Sequence, residues 1–198
     1  MLQLDGRSVR DYPLQQLREQ IAFVPQDSFL FSDTLLKNIA FGMQTVDRQA
    51  VIDACSAACI HESIMEFPEN YDTVVGERGV TLSGGQKQRS SIARALLKDA
   101  AILVLDDALS AVDTDTEEQI LTNLKKLRAG KTTIMIAHRI STVQHADHIL
   151  VLEDGKMAEY GTHEELLQKQ GLYRSVYDRQ QLEKQLNDDG KGGARHGD

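Results

Sequence analysis

The chain has 198 residues, 41% hydrophobic and 26% charged, enough for one domain with a real core and a small subdomain beside it. A net charge of -8 argues against a nucleic-acid surface, and no run is long and apolar enough to cross a membrane. The first residues show no secretory pattern.

Leu2-Gln3-Leu4 reads as the end of a strand and Asp5-Gly6 as a turn. Pro13 to Glu19 reads as a short helix, with proline at an early position where its missing N–H does no harm. Ile21 to Val24 forms a short strand stopped by Pro25. Gln26 follows: its amide can offer a carbonyl to a metal ion, or it is a solvated loop residue. Phe29, Leu30 and Phe31 either meet a partner or pack inward. From Asp47 to about Leu97 the pattern is mainly helical. Asp47 caps a helix with Val51, Ile52, Cys55 and Cys59 along one side. The two cysteines read as small packing side chains in a reduced environment, since a metal site needs further ligands nearby. A second helical piece, about Glu62 to Phe67, ends before Pro68. Tyr71 to Gly79 is loop-like, and Glu77 and Arg78 within it are either part of a partner contact or an ordinary surface pair.

The run 82–113, LSGGQKQRSSIARALLKDAAILVLDDALSAVD, carries the most chemistry. Ser83 is a good N-cap, Gly84 and Gly85 let backbone approach closely, and Ile92, Ala93, Ala95, Leu96 and Leu97 form an apolar helix face. A helix that begins this way suits a phosphate. Ile102 to Leu105 predicts a buried strand delivering Asp106 and Asp107 at its C-terminal end, where open parallel sheets place ligands. Asp115 to Leu127 is an amphipathic helix with Ile120, Leu121, Leu124 and Leu127 inward, ended by Gly130. Thr132 to Ala137 predicts another buried strand with His138 at its end, either a structural hydrogen-bonding group or a ligand contact. Ile149 to Leu152 and Lys156 to Tyr160 form a hairpin across Asp154-Gly155, and Thr162 with Glu165 makes a capping box. The last dozen residues, rich in Asp, Gly and charge, are expected to be disordered. Strands alternating with helices predict an α/β core around a parallel sheet.

The LSGGQ run, the strand ending in Asp106 and the Ser110-Ala111-Val112-Asp113 segment stand in the order and spacing of the ATP-binding cassette (ABC) ATPases. The chain resembles that family from Leu2 to about Gln181. VPQDSFLFSDTLLKNIAFG is similar to the exporter Q-loop region, YDT…VGERG to the exporter X-loop, and IAHRISTVQHAD to the H-loop. The resemblance implies a P-loop NTPase-like parallel-sheet core with an inserted helical subdomain. It divides the chain into partial core with Q-loop (1–34), helical subdomain (35–97), core with Walker B, D-loop and H-loop (98–181) and a disordered tail (182–198). It implies ATP and Mg²⁺, with Gln26 and Asp106 toward the metal and Asp107 and His138 in catalysis. Ser83, Gly84, Gly85 and Gln86, with Gln26, Ser110 and Asp113, are the implied nucleotide-binding residues. Cassettes of this family pair head to tail, so LSGGQ serves a second cassette's nucleotide. The Q-loop meets a transmembrane domain of the same full-length chain, which implies a position on the cytoplasmic face of the membrane.

Two departures qualify the resemblance. The P-loop, G-x-x-x-x-G-K-[ST], is absent from these residues. Gly130-Lys131-Thr132 mimics its end, but Lys125 stands where the first glycine belongs, and this GKT leaves a helix for a strand. The segment is thus expected to start past the P-loop helix, to expose apolar edges, and to be inactive alone. The second departure is Asp107, where well-hydrolysing members usually carry Glu as general base. Asp is one methylene shorter, and misplacement of about 1 Å can cost on the order of a hundredfold in rate. An intact LSGGQ beside a shortened acid resembles the degenerate half of a heterodimeric exporter, paired with a non-identical cassette. A soluble ABC ATPase without a membrane domain is disfavoured by the acidic charge and the YDT…VGERG run; a truncated product that binds no nucleotide is the remaining alternative.

Overall fold

The computed structural model describes residues 2–76 and 79–192. The expected pair Glu77 and Arg78 and the last six residues of the tail lie outside the described residues. The chain forms two compact units, Met1–Ala137 and His138–Asp198.

The first unit opens with an antiparallel pair, β1 (Gln3–Leu4) and β2 (Arg7–Ser8), turned by Asp5 and Gly6 at φ 49° and 76°. This is the left-handed pair that a two-residue hairpin requires. Helix α1 (Leu14–Glu19) follows Pro13 and leads into β3 (Ile21–Val24). The helical segment comprises α2 (Leu35–Ile39), α3 (Arg48–Ala57), α4 (His61–Met65) and α5 (Gly84–Leu97). Then come β4 (Ile102–Asp106), α6 (Thr114–Leu127) and β5 (Thr132–Ile136). The three longer strands form one parallel sheet in the order β3-β4-β5, with Val24 opposite Leu105 and Asp106 opposite Ile136.

One sheet face is buried. Ala22, Val24, Leu103 and Leu105 share a single core with Leu35 and Ile39 of α2, Val51 and Cys55 of α3, Ile92 and Ala93 of α5, and Ile120 and Leu124 of α6. Sheet and helical segment are therefore held by the same apolar packing rather than by two separate cores. The opposite face differs from expectation. The strand 132–137 was expected to be buried, but β5 alternates, with Ile134 and Ile136 49% and 50% exposed and Phe23 across the sheet 55% exposed. The reason is positional: the register sets Ile134 opposite Val104 and Phe23, on the sheet face turned away from the core that Ala22, Val24, Leu103 and Leu105 join.

Polar side chains secure the joints. Buried Asn38 receives the Phe31 N–H at 2.8 Å and donates to the carbonyls of Phe31, Asp33 and Thr34. Arg94 donates to the carbonyls of Asn38 and Phe29. At the end of α6, Arg128 donates to the carbonyls of Ala100, Ala101 and Thr132, tying that helix to the starts of two strands.

The second unit contains α7 (Ile140–Val143), the hairpin β6 (Ile149–Glu153) and β7 (Lys156–Gly161), α8 (His163–Gln168) and α9 (Leu172–Gly192). Asp154 and Gly155 turn the hairpin with φ 50° and 72°. Thr162 and Glu165 form the expected capping box of α8. Ile140, Ile149, Leu166 and Tyr173 make its core, and the Tyr173 hydroxyl lies 2.8 Å from His163 Nδ1. Helix α9 runs on into the 182–198 segment, through Gly192. Leu182, Glu183, Lys184, Gln185 and Leu186 are all strong helix formers, which extends α9 although both leucines are exposed.

Candidate functional site

Helix α5 starts on Ser83, whose hydroxyl accepts the Gln86 N–H at 3.2 Å while the Gln86 side chain accepts the Ser83 N–H at 3.0 Å. This reciprocal box satisfies two of the donors that a helix start otherwise leaves open. Ser83 and Gly84 stay exposed. Gly85 lies against the turn that follows β4: a Cβ there would fall 2.8 Å from the Ala111 carbonyl oxygen. Only glycine permits that approach of two backbones.

The turn is built around Asp107. Its φ of 46° is left-handed, a region that Asp tolerates better than most residues, and it swings the chain off the strand. The Asp107 N–H donates to the Ile136 carbonyl at 2.8 Å, and its own carbonyl accepts the Ser110 hydroxyl at 2.9 Å. Asp106 and Asp107 are both half-buried at the C-terminal edge of the sheet. Gln26, exposed, follows the end of the parallel neighbour β3 and so reaches the same edge. Asp113 closes the turn as the N-cap of α6, accepting the Thr116 N–H at 3.0 Å. That bond, with a further one from the Thr116 side chain, holds the Asp113 carboxyl below the ordinary carboxylate range.

The structure thus brings Ser83, Gly84, Gly85 and Gln86 up to Ser110 and the Asp107 turn, and sets Gln26, Asp106 and Asp107 along one sheet edge. His138 opens the second unit, two residues past β5 in sequence; its carbonyl accepts from Gln180 Nε2 at 2.8 Å.

One residue here was not singled out in the sequence. Gln88, only 6% exposed, donates from Nε2 to the Ser110 hydroxyl at 3.0 Å and to the Asp107 carbonyl at 3.4 Å, and its Oε1 accepts the Ala111 N–H at 2.9 Å. Helical spacing was the available signal: Gln88 follows Gly84 and Gly85 by four and three residues and shares their face.

The same unit holds an aromatic group beside the segment after Gln26. Phe31 stacks on Phe41 with ring centres 4.5 Å apart, Phe29 meets Phe31 edge to face at 5.0 Å, and Phe29 and Phe41 are mostly exposed. The neighbouring stretch pairs with the start of the 71–79 loop, through Leu35 N–H to the Thr73 carbonyl and Val75 N–H to the Asp33 carbonyl, both at 3.0 Å.

Residues 1–110 match the protein-family model described as ABC transporter. The chain belongs to this family. An ABC exporter structure, titled as a bacterial Atm1-family exporter with ATP bound, superposes with a TM-score of 0.85 at 46% identity, covering 89% of this chain and 31% of that one. The ATP-dependent lipid A-core flippase of Legionella pneumophila is 48% identical over 182 residues, 92% of this chain and 31% of the flippase. Heavy metal tolerance factor 1 of Caenorhabditis elegans is 50% identical over 179 residues, 90% of this chain and 22% of that protein. The chain therefore spans about a third or less of the length of these relatives.

Proposed function

We propose that this chain is the later part of the nucleotide-binding domain of an ABC exporter, which couples ATP binding and hydrolysis to export of a substrate across a membrane. The observation that carries this is the packing of the LSGGQ helix start against the Asp107 turn, on a sheet edge that also presents Asp106 and Gln26. The donors fit Mg²⁺, a hard ion that takes carboxylate and amide oxygens, with Asp106 and Gln26 holding it directly or through water. When bound, Mg²⁺ neutralises charge on the phosphates. Asp107, one methylene shorter than the usual Glu, takes the proton of the attacking water inefficiently, so that this chain's own site is slow, and His138 donates to the terminal phosphate. Ser83, Gly84, Gly85 and Gln86 contact the nucleotide of a second cassette, with Ser110 and Asp113 lining that interface. Catalysis of this type is mainly positioning and charge stabilisation, which suits dispersed polar groups on strand ends and helix starts.

Its partners on this account are a non-identical second cassette and a transmembrane domain of the same full-length chain, at the cytoplasmic face of a membrane. The aromatic group Phe29, Phe31 and Phe41, together with the 71–76 stretch paired beside it, is the surface offered to that transmembrane domain. Net charge of -8 supports a protein partner over nucleic acid. These 198 residues alone lack a phosphate-cradling P-loop and are inactive by themselves. The test is ATP hydrolysis by the full-length polypeptide in lipid vesicles, with His138→Ala beside it. Hydrolysis lost in the variant with nucleotide still bound supports the assignment; hydrolysis retained at the parental rate removes His138 from it. Micromolar ATP binding by the isolated 198 residues would contradict their proposed inactivity.

A further inference from the structure

The two halves of the site work for different nucleotides if the proposed function holds: the start of α5 reaches toward a partner's ATP, while Asp106 and Asp107 serve the chain's own. What joins them inside this chain is Gln88. Its buried amide spans the gap between helix and turn with both ends used. Nε2 donates to the Ser110 hydroxyl at 3.0 Å and to the Asp107 carbonyl at 3.4 Å, and Oε1 accepts the Ala111 N–H at 2.9 Å. Ala111 is thereby held at both its polar groups by one face of the helix: its N–H donates to Gln88, and its carbonyl oxygen faces Gly85 at a distance that leaves no room for a Cβ. The Asp107 carbonyl in turn collects the Ser110 N–H, the Ser110 hydroxyl and the Gln88 amide. A left-handed Asp107 needs such over-determination to stay in place.

We propose that Gln88 is a positioning residue that fixes the first two turns of α5 to the 107–111 turn as one rigid piece, so that a shift of the LSGGQ helix on meeting a partner's nucleotide is delivered to Asp107, and the reverse. Gln88 touches no substrate in this scheme. It acts through the backbone of Asp107 and Ala111 and through the Ser110 hydroxyl. The inference rests on the proposed ATPase function and deepens it by naming the internal link between the two sites. Buried amides that satisfy several partners at once are well suited to this role, since one slipped bond leaves the others strained and the arrangement has few intermediate geometries.

The experiment uses the full-length polypeptide, assembled in lipid vesicles with its partner, and compares the parental protein with Gln88→Met and Gln88→Glu. Methionine keeps the volume and removes all three hydrogen bonds; glutamate keeps an acceptor for the Ala111 N–H. The readouts are kcat and KM for ATP and the unfolding midpoint. Loss of positioning without loss of binding lowers kcat and leaves KM, so Gln88→Met is expected to lower kcat about tenfold or more with KM within about twofold. Gln88→Glu, which sets an unpaired carboxylate oxygen against the Asp107 carbonyl, is expected to lower kcat no less than methionine does, again with KM within about twofold. A lower unfolding midpoint with parental kcat per folded molecule would show a merely structural glutamine and overturn the inference. So would a kcat loss matched by an equal rise in KM. A parental protein that neither binds nor hydrolyses ATP would instead overturn the function on which the inference stands.

Discussion

Gly85→Ala is the sharpest perturbation of the site, because helix propensity and packing pull it in opposite directions. Alanine in a helix is more favourable than glycine by about 0.8–1 kcal/mol. Against that gain, the new Cβ would lie 2.8 Å from the Ala111 carbonyl oxygen and 3.6 Å from its carbonyl carbon. Ordinary contact needs about 3.5 Å, so helix and turn must separate by roughly 0.7 Å. Neighbouring atoms here are backbone, held by Gln88 and by the Asp107 N–H bond to Ile136, so no flexible side chain can simply swing away. Overpacking of this kind costs about 1–3 kcal/mol. The net expectation is a destabilisation of about 0–2 kcal/mol, or a fall of the midpoint by up to roughly 8 °C for a domain of this size. The functional expectation is larger than the stability one: the displaced helix start carries Ser83, Gly84 and Gln86 toward the partner's nucleotide, and ATP hydrolysis by the full-length protein assembled with its partner should fall at least tenfold. Calorimetry and a steady-state ATPase assay on the same preparation decide the matter. A midpoint raised by 2–4 °C with parental hydrolysis, as bare helix propensity would give, would refute the close-approach argument.

Other expectations follow from the packing. Asn38→Ala should destabilise by about 1–3 kcal/mol, because it leaves the Phe31 N–H without its acceptor and removes one of the donors to each of the Phe31, Asp33 and Thr34 carbonyls; chemical denaturation measures it. Ser83→Ala removes half of the capping box and should cost about 1 kcal/mol in the same assay. Cys55, buried, has its thiol pushed up to about 12 by desolvation, with a weaker opposing hydrogen bond from Tyr71. The raised value means that the folded state holds the proton more tightly than the unfolded one. Stability from this group is thus fully present below the ordinary thiol range and is lost as pH rises toward 12. Maleimide at pH 8 should accordingly modify Cys55 only at the rate of unfolding, read by mass spectrometry.

Much of this architecture is legible in the residues, and the failures have physical causes. Caps were readable because they depend on one short side chain and its neighbours: Asp47, Ser83, Thr162 and the Asp154-Gly155 turn act locally. The strand Ile102 to Asp106 is readable from its apolar run, and Leu103 and Leu105 are buried as that run implies. Burial of Thr132 to Ile136 is not readable, since it depends on what covers each face: Ile134 and Ile136 are apolar in sequence and half exposed in place. Asp113 reads as a ligand by resemblance, and its carboxylate is seen to cap α6; the two roles share one residue type, so composition cannot separate them. Gln88, Asn38 and Arg128 are not legible in the sequence because a buried polar side chain looks like a surface one until its partners are known. Gln88 bonds across 19 to 23 residues and Arg128 reaches 27 and 28 residues back to Ala101 and Ala100, and only folding brings such pairs together.

The central claim is that Asp107 makes this cassette's own site slow while its LSGGQ end supports a partner. The direct measurement is ATP turnover by the full-length polypeptide assembled without a second subunit type, for the parental protein, Asp107→Glu and Asp107→Asn. Asn tolerates the left-handed backbone at this position as Asp does, so it tests chemistry rather than folding. The account predicts slow parental turnover, a rise of between about ten- and a hundredfold for Asp107→Glu, and little further loss for Asp107→Asn. Rapid parental turnover that Asp107→Asn abolishes and Asp107→Glu leaves unchanged would contradict it.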